Sequence, residues 1–202
     1  MLKHIVVLCL ALIPSSFEKL KQYPIKECKH YLPMRNFNET QFFNGTWYLA
    51  YAMFDDKERK LVNCETQKGE VLTNGIIRVI TSSYYPEVKK FVKSETFILS
   101  NNKNKGKYMG ESRMFEPDGD KFVTDFITIP LTIIDTDYVN YAVTYVCFYF
   151  ESLVIGYTSV EVRNKTDMYS LLLAEQKILE LGFNIKDFHS SMNLTCKEDA
   201  NF

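Results

Sequence analysis

The sequence predicts an all-β chain: an eight-stranded antiparallel up-and-down barrel followed by one C-terminal α-helix. Three observations predict it. Between Thr46 and Arg163, runs rich in β-branched and aromatic residues alternate with turn residues at even spacing. The period changes only once, to a helical one, over residues 167–181. The chain has 202 residues and no linker-like stretch, so one domain can bury all of these runs in one core. A closed barrel removes the exposed edges that such a meander would leave. A β-sandwich is the alternative that the pattern alone allows.

Seven strand-like runs are explicit. Residues 46–54 read TWYLAYAMF, and 75–85 read GIIRVITSSYY and stop at Pro86. Residues 89–99 read KKFVKSETFIL and end in the polar run from Ser100 to Lys105. Residues 107–115 read KYMGESRMF and end at Pro117-Asp118-Gly119-Asp120, a hairpin turn signal. Residues 121–134 read KFVTDFITIPLTII, where Pro130 argues for an edge, a bulge or a bend. After a turn at Asp135-Thr136-Asp137 come YVNYAVTYVCFYF (138–150) and LVIGYTSVEVR (153–163). The helix is DMYSLLLAEQKILEL, with Asp167 as N-cap and Gly182 where it ends. A meander of eight or so strands with a trailing helix closes a barrel whose interior has room for one small ligand.

Lys plus Arg number 24 against 25 Asp plus Glu, so no basic excess exists to hold a nucleic acid. Met1-Leu2-Lys3-His4 is a short cationic start, and Ile5–Ile13 is an apolar run too short to span a bilayer. Pro14, Ser15 and Ser16 follow. That order is a secretory signal peptide over residues 1–16, with cleavage near Ser16, which leaves one secreted domain over 17–202. No later run has the length and apolarity of a membrane span. A monomer is expected.

Cleavage removes Cys9 and leaves Cys28, Cys64, Cys147 and Cys196. An even set in a secreted chain reads as two disulfides, for which three pairings exist. The absence of C-x-x-C disfavours a zinc or redox site, and no metal is expected. Asn38, Asn164 and Asn193 head glycosylation sequons; a fourth, at Asn44, abuts the first strand and is the doubtful one.

Phe42-Phe43-Asn44-Gly45-Thr46-Trp47-Tyr48 holds the only Trp, at the start of the first strand. It resembles the G-x-W signature of lipocalins, in which Gly45 lets the backbone turn in and Trp47 fills the barrel bottom. Arg163, ending the last run, matches the lipocalin arginine that stacks across that Trp. Thr136-Asp137-Tyr138 looks like the third lipocalin signature. FFNGTWYLA is similar to the opening of triabin-like and nitrophorin-like salivary lipocalins of blood-feeding bugs, and the resemblance covers about Cys28 to Cys196. It implies that Cys28 pairs with Cys147 and Cys64 with Cys196. It also implies a secreted salivary protein that opposes host haemostasis or inflammation, platelet aggregation and clotting included. Some members hold eicosanoids, biogenic amines or nucleotides in the barrel. Others bind a clotting protease with the outer surface, and nitrophorins carry a haem.

In the haem proteins a His on the second strand precedes a Tyr-x-Pro step. Here Ser83 stands at that place in Ser82-Ser83-Tyr84-Tyr85-Pro86. A hydroxyl is a poor iron ligand, so no haem and no other cofactor is expected; Tyr84 or Tyr85 would be the remaining donor. His30 and His189, the histidines left after cleavage, fall outside the strand runs and read as solvated side chains. No nucleophile, triad or phosphate loop stands out, so no enzyme is predicted.

Strand alternation places candidate pocket residues. Trp47 inward implies that Leu49, Tyr51 and Met53 also point inward. If Cys147 faces out, Ala142, Thr144, Val146 and Phe148 face in. A bulge would reverse either series. The expected function is a secreted binder that sequesters a small host mediator in its barrel. The alternative is a surface inhibitor of a host haemostatic protein, which an open cavity would disfavour.

Overall fold

The computed structural model describes residues 27–57, 59–99, 106–150 and 153–199. The expected signal peptide lies outside the described residues. Eight strands run in order around the barrel: β1 (Gly45–Phe54), β2 (Cys64–Val71), β3 (Ile76–Tyr85), β4 (Lys90–Leu99), β5 (Lys107–Met114), β6 (Ile127–Thr136), β7 (Tyr141–Phe150) and β8 (Leu153–Val162). Every neighbouring pair is antiparallel, and β1 closes the barrel by pairing with both β8 and β2. A short helix α1 (Glu39–Phe43) precedes the barrel, capped by Asn38, whose Oδ1 accepts from the Gln41 N–H at 3.1 Å. Helix α2 (Met168–Glu180) follows it, with Asp167 accepting from the N–H groups of Tyr169 and Ser170. A two-residue strand β9 (His189–Ser190) adds to the outer part of β1.

Two cores result. One plugs the closed end inside the barrel, where Phe37, Phe42, Phe43, Trp47, Ile77 and Ile133 pack together. The other lies between the barrel wall and α2: Ala50, Val143, Val160 and Val162 meet Leu171, Ala174 and Ile178. Only one stripe of α2 is buried, and Leu172 and Leu179 on its far side stay exposed.

The disulfides are Cys28–Cys147 and Cys64–Cys196, with Cα–Cα distances of 5.8 and 5.9 Å. They tie the N-terminal arm to β7 and the C-terminal segment to the start of β2.

The β-rich meander holds, with two differences. The fifth run, which forms β6, starts later than its sequence suggests, because residues 121–126 form a turn region whose Phe122 bridges Phe115. Within β6, Pro130 lies opposite Met109 of β5, and pairing to β7 begins only at Leu131. No N–H is therefore needed from residue 130 towards β7. The second difference is β2, which no hydrophobic run announces. Between Cys64 and Val71 its sequence, ETQKGE, has no apolar side chain: Glu65, Gln67 and Gly69 face the barrel interior, and Lys68 and Glu70 do not.

Candidate ligand-binding site

A cavity of about 590 Å³ occupies the barrel above the Trp47 plug. Its wall has two characters. Ile98 of β4 and Ile127, Ile129 and Leu131 of β6 make one side apolar. On the other side β2, β7 and β8 contribute Glu65, Gln67, Thr144 and Glu161, with Leu49 of β1 between the acids.

The sequence-predicted residues divide at a bulge. Leu49 lines the cavity, as do Thr144, Val146 and Phe148. Ala142 points inward below the cavity and joins the Trp47 plug. Tyr51 and Met53 do not line it. The β1–β8 register slips between Leu49 and Tyr51, so Ala52 and Phe54 take the inward places. Tyr51 and Met53 turn outward and pack against the α2 core. The Tyr51 hydroxyl donates to Glu175 Oε1 at 2.5 Å, and burial together with that carboxylate pushes its pKa up.

The acids were missed because their signal is polar. Glu161 is 3 % exposed, and its Oε1 accepts from Ser159 Oγ at 3.0 Å. Ser159 shares a 2.6 Å hydrogen bond with Thr144. Glu65 accepts from Ser83 Oγ at 3.3 Å. The amide Nε2 of Gln67 donates to both acids, at 2.9 Å to Glu65 Oε1 and 3.3 Å to Glu161 Oε1. Among the described residues neither acid has a lysine, arginine or histidine within ion-pair distance. Burial, and then the charge of Glu65, push Glu161 up from 4.5 to about 7; Arg163 offsets only part of this. Burial also raises Glu65. The phenols of Tyr85 and Tyr157, on the same wall, are pushed up by burial and by Glu65. The site is a largely apolar slot with one buried and one half-buried carboxyl group; Arg59, Lys60 and Lys93 also line it, but none of them is within ion-pair distance of Glu65 or Glu161.

A second pocket of about 490 Å³ lies on the barrel flank, under the C-terminal segment. The β1–β2 ladder ends at Tyr48 and Thr66, and Leu49 and Glu65 line both spaces just beyond it.

The barrel floor is built as its motifs suggest. The Arg163 guanidinium lies 3.7 Å over the Trp47 ring. Gly45, at φ 97°, holds a conformation that side chains rarely adopt, against the Arg163 side chain. Asp137 accepts from the N–H groups of Val139, Asn140 and Tyr141; these bonds outweigh its burial and hold its carboxyl below the usual range. The sequon residues Asn38, Asn44, Asn164 and Asn193 are all exposed, so burial does not set Asn44 apart.

A family profile for nitrophorins matches residues 28–202. The chain belongs to the nitrophorin family. Its structure is similar to that of the amine-binding protein of Rhodnius prolixus in its tryptamine complex, with a TM-score of 0.75 and 22 % identity over 87 % of this chain and 92 % of that one. A second structure, of a biogenic amine-binding protein, matches with a TM-score of 0.74 and 24 % identity over 86 % and 92 %. A complex of an LTBP1 mutant with leukotriene C4 matches with a TM-score of 0.54 and 19 % identity over 86 % and 97 %. At these identities the likeness establishes the lipocalin fold. A comparison with curated protein sequences finds no match. Family membership and the two disulfides are consistent with secretion.

The donor set of this nitrophorin-family cavity does not fit a haem. Ser83 faces the cavity where the resemblance would place His, and its hydroxyl is engaged by Glu65. No His or Cys is among the lining residues, and Met114 has no His to share an iron with. Tyr85 faces in, but its raised pKa opposes the phenolate that ferric iron would need; Tyr84 packs outward against Phe91. His30 is exposed, and His189 pairs with Ala52 outside the barrel.

Proposed function

We propose that this protein sequesters a small host mediator bearing an aromatic or apolar body and an ammonium group. The observation that carries this reading is the Glu65–Glu161 pair at the cavity wall, Glu161 buried and Glu65 half-buried, with no cationic side chain among the described residues within ion-pair distance of either. Two carboxyl groups in an apolar enclosure are costly unless an opposite charge joins them. A ligand ammonium supplies that charge, while the β4–β6 wall holds its apolar body. The Rhodnius protein similar in fold is described as an amine-binding protein and holds tryptamine, which supports the same ligand class.

At the Glu65–Glu161 wall a nucleotide polyphosphate or an eicosanoid carboxylate would meet like charge; the cations of the lining, Arg59, Lys60 and Lys93, lie beyond ion-pair distance of these acids. A lining without His or Cys weighs against a haem. The open cavity leaves the surface-inhibitor reading without an observation in its favour. Binding alone suffices for the effect, by competition with a host receptor, so no catalytic step is assigned. The setting we infer is saliva of a blood-feeding insect, reached by cleavage of the N-terminal signal.

Calorimetric titration tests this. Tryptamine is expected to bind the full secreted chain one to one. Glu161→Gln and Glu65→Gln should each weaken it by on the order of tenfold or more, the effect of losing one charged hydrogen-bond partner. Binding that ignores both substitutions would contradict the reading.

A further inference from the structure

The Gln67 amide bridges the two acids of the cavity wall. A single nitrogen, Nε2, donates to both Glu65 and Glu161. It is a two-donor NH₂ group, and it spends one hydrogen on each acid. The other side chains that bond the acids each reach one of them: Ser83 and Asn63 on Glu65, Ser159 and Thr144 on Glu161. Gln67 Nε2 is thus the nitrogen that both acids share, and it marks one point between them where N–H donors are met.

From this we infer that Gln67 is an internal stand-in for the ligand and a specificity-determining residue. The site admits amines that bring at least two N–H donors and rejects those that bring fewer. This rests on the amine reading above. A primary or protonated secondary ammonium displaces Nε2 and replaces both of its hydrogen bonds, gaining charge in the exchange. A protonated tertiary amine replaces one and strands the other acid. A quaternary ammonium replaces neither, and its methyl groups hold the charge away from both oxygens. Buried polar sites discriminate most strongly against analogues that leave their partners unpaired.

The test is one titration series on the wild-type secreted chain at pH 8.5. The probes are tryptamine, N-methyltryptamine, N,N-dimethyltryptamine, the N,N,N-trimethyl cation and neutral 3-ethylindole. The expected result is a step: the first two bind within a few-fold of each other, and the third is weaker by about tenfold or more. The fourth is weaker again. An even decline across the series, or equal binding of all four cations above 3-ethylindole, overturns the two-donor rule and leaves the amine reading standing. Equal binding of 3-ethylindole, or no binding at all, overturns both. A second measurement addresses Gln67 itself. Gln67→Leu, with its fold checked by Trp47 fluorescence, should bind tryptamine more tightly at pH 8.5, because no amide has to be displaced. Weaker binding would make Gln67 a ligand contact and overturn its role as stand-in.

Discussion

Arg163 stacks on Trp47 at 3.7 Å and also donates to the carbonyls of Thr46, Gln41, Phe42 and Tyr138. One side chain thus ties the end of β8 to α1, β1 and the β6–β7 turn. Arg163→Ala should lower unfolding free energy by about 3 kcal/mol, from the lost cation–π contact and the stranded carbonyls. Arg163→Lys should recover only part of this, since an ammonium cannot serve a planar fork of acceptors. Urea denaturation followed by the fluorescence of the only Trp measures both.

Tyr51, turned outward by the bulge in β1, and Val146, on the cavity wall of β7, have opposite tasks. Tyr51→Phe should cost about 1 kcal/mol of stability, through the lost bond to Glu175, and leave tryptamine affinity unchanged. Val146→Trp should lower affinity by about tenfold or more, because a preformed cavity cannot hold both the indole and the ligand. If Tyr51→Phe weakened binding as much as Val146→Trp, the assignment of faces would be wrong.

Glu161 makes stability depend on pH. Its carboxyl, raised in the folded state to about 7 from 4.5, favours folding while it holds its proton. That contribution is complete below pH 4.5 and is lost as pH rises through about 7. Glu161→Gln should therefore be more stable than wild type above pH 7, by on the order of 3 kcal/mol at most. The advantage should vanish towards pH 4.5. Thermal melts of both proteins across this range show it, and a constant difference at all pH values would contradict it.

The disulfides close loops spanning 119 and 132 residues. Replacing Cys28 and Cys147 by Ser should cost about 2–5 kcal/mol, chiefly by loosening the unfolded chain's constraint. Replacing Cys64 and Cys196 should cost a similar amount and free the segment over the flank pocket. Melting temperatures of the two double variants measure both effects.

Much of the barrel was legible because its outward and plug-forming residues follow strand periodicity. Trp47, Arg163 and Asp137 could be placed from their motifs. Half of the pocket was legible too: Leu49, Thr144, Val146 and Phe148 follow simple alternation from Trp47 and Cys147. Tyr51 and Met53 escaped because alternation cannot register the bulge after Leu49. The acids escaped for a different reason. Glu65 and Gln67 lie on a strand with no apolar period, because what it faces is a polar wall and not a core. Glu161, in SVEVR, reads as the solvent-facing member of an alternating strand. The missing eighth strand was itself a signal: a barrel that needs one more strand, and a polar stretch of the right length between Cys64 and Val71.

The central claim is that the Glu65–Glu161 pair of the cavity wall receives a cation. The measurement that tests it most directly is the affinity for tryptamine between pH 5 and 9, by calorimetry in buffers of different ionisation enthalpy. Because Glu161 must give up its proton to the solvent when the ammonium arrives, affinity should rise by up to about tenfold per pH unit below about 7, with proton release, and level off above it. The Glu161→Gln variant should show a flatter profile. An affinity that is constant or falls with rising pH, without proton release, would contradict the account.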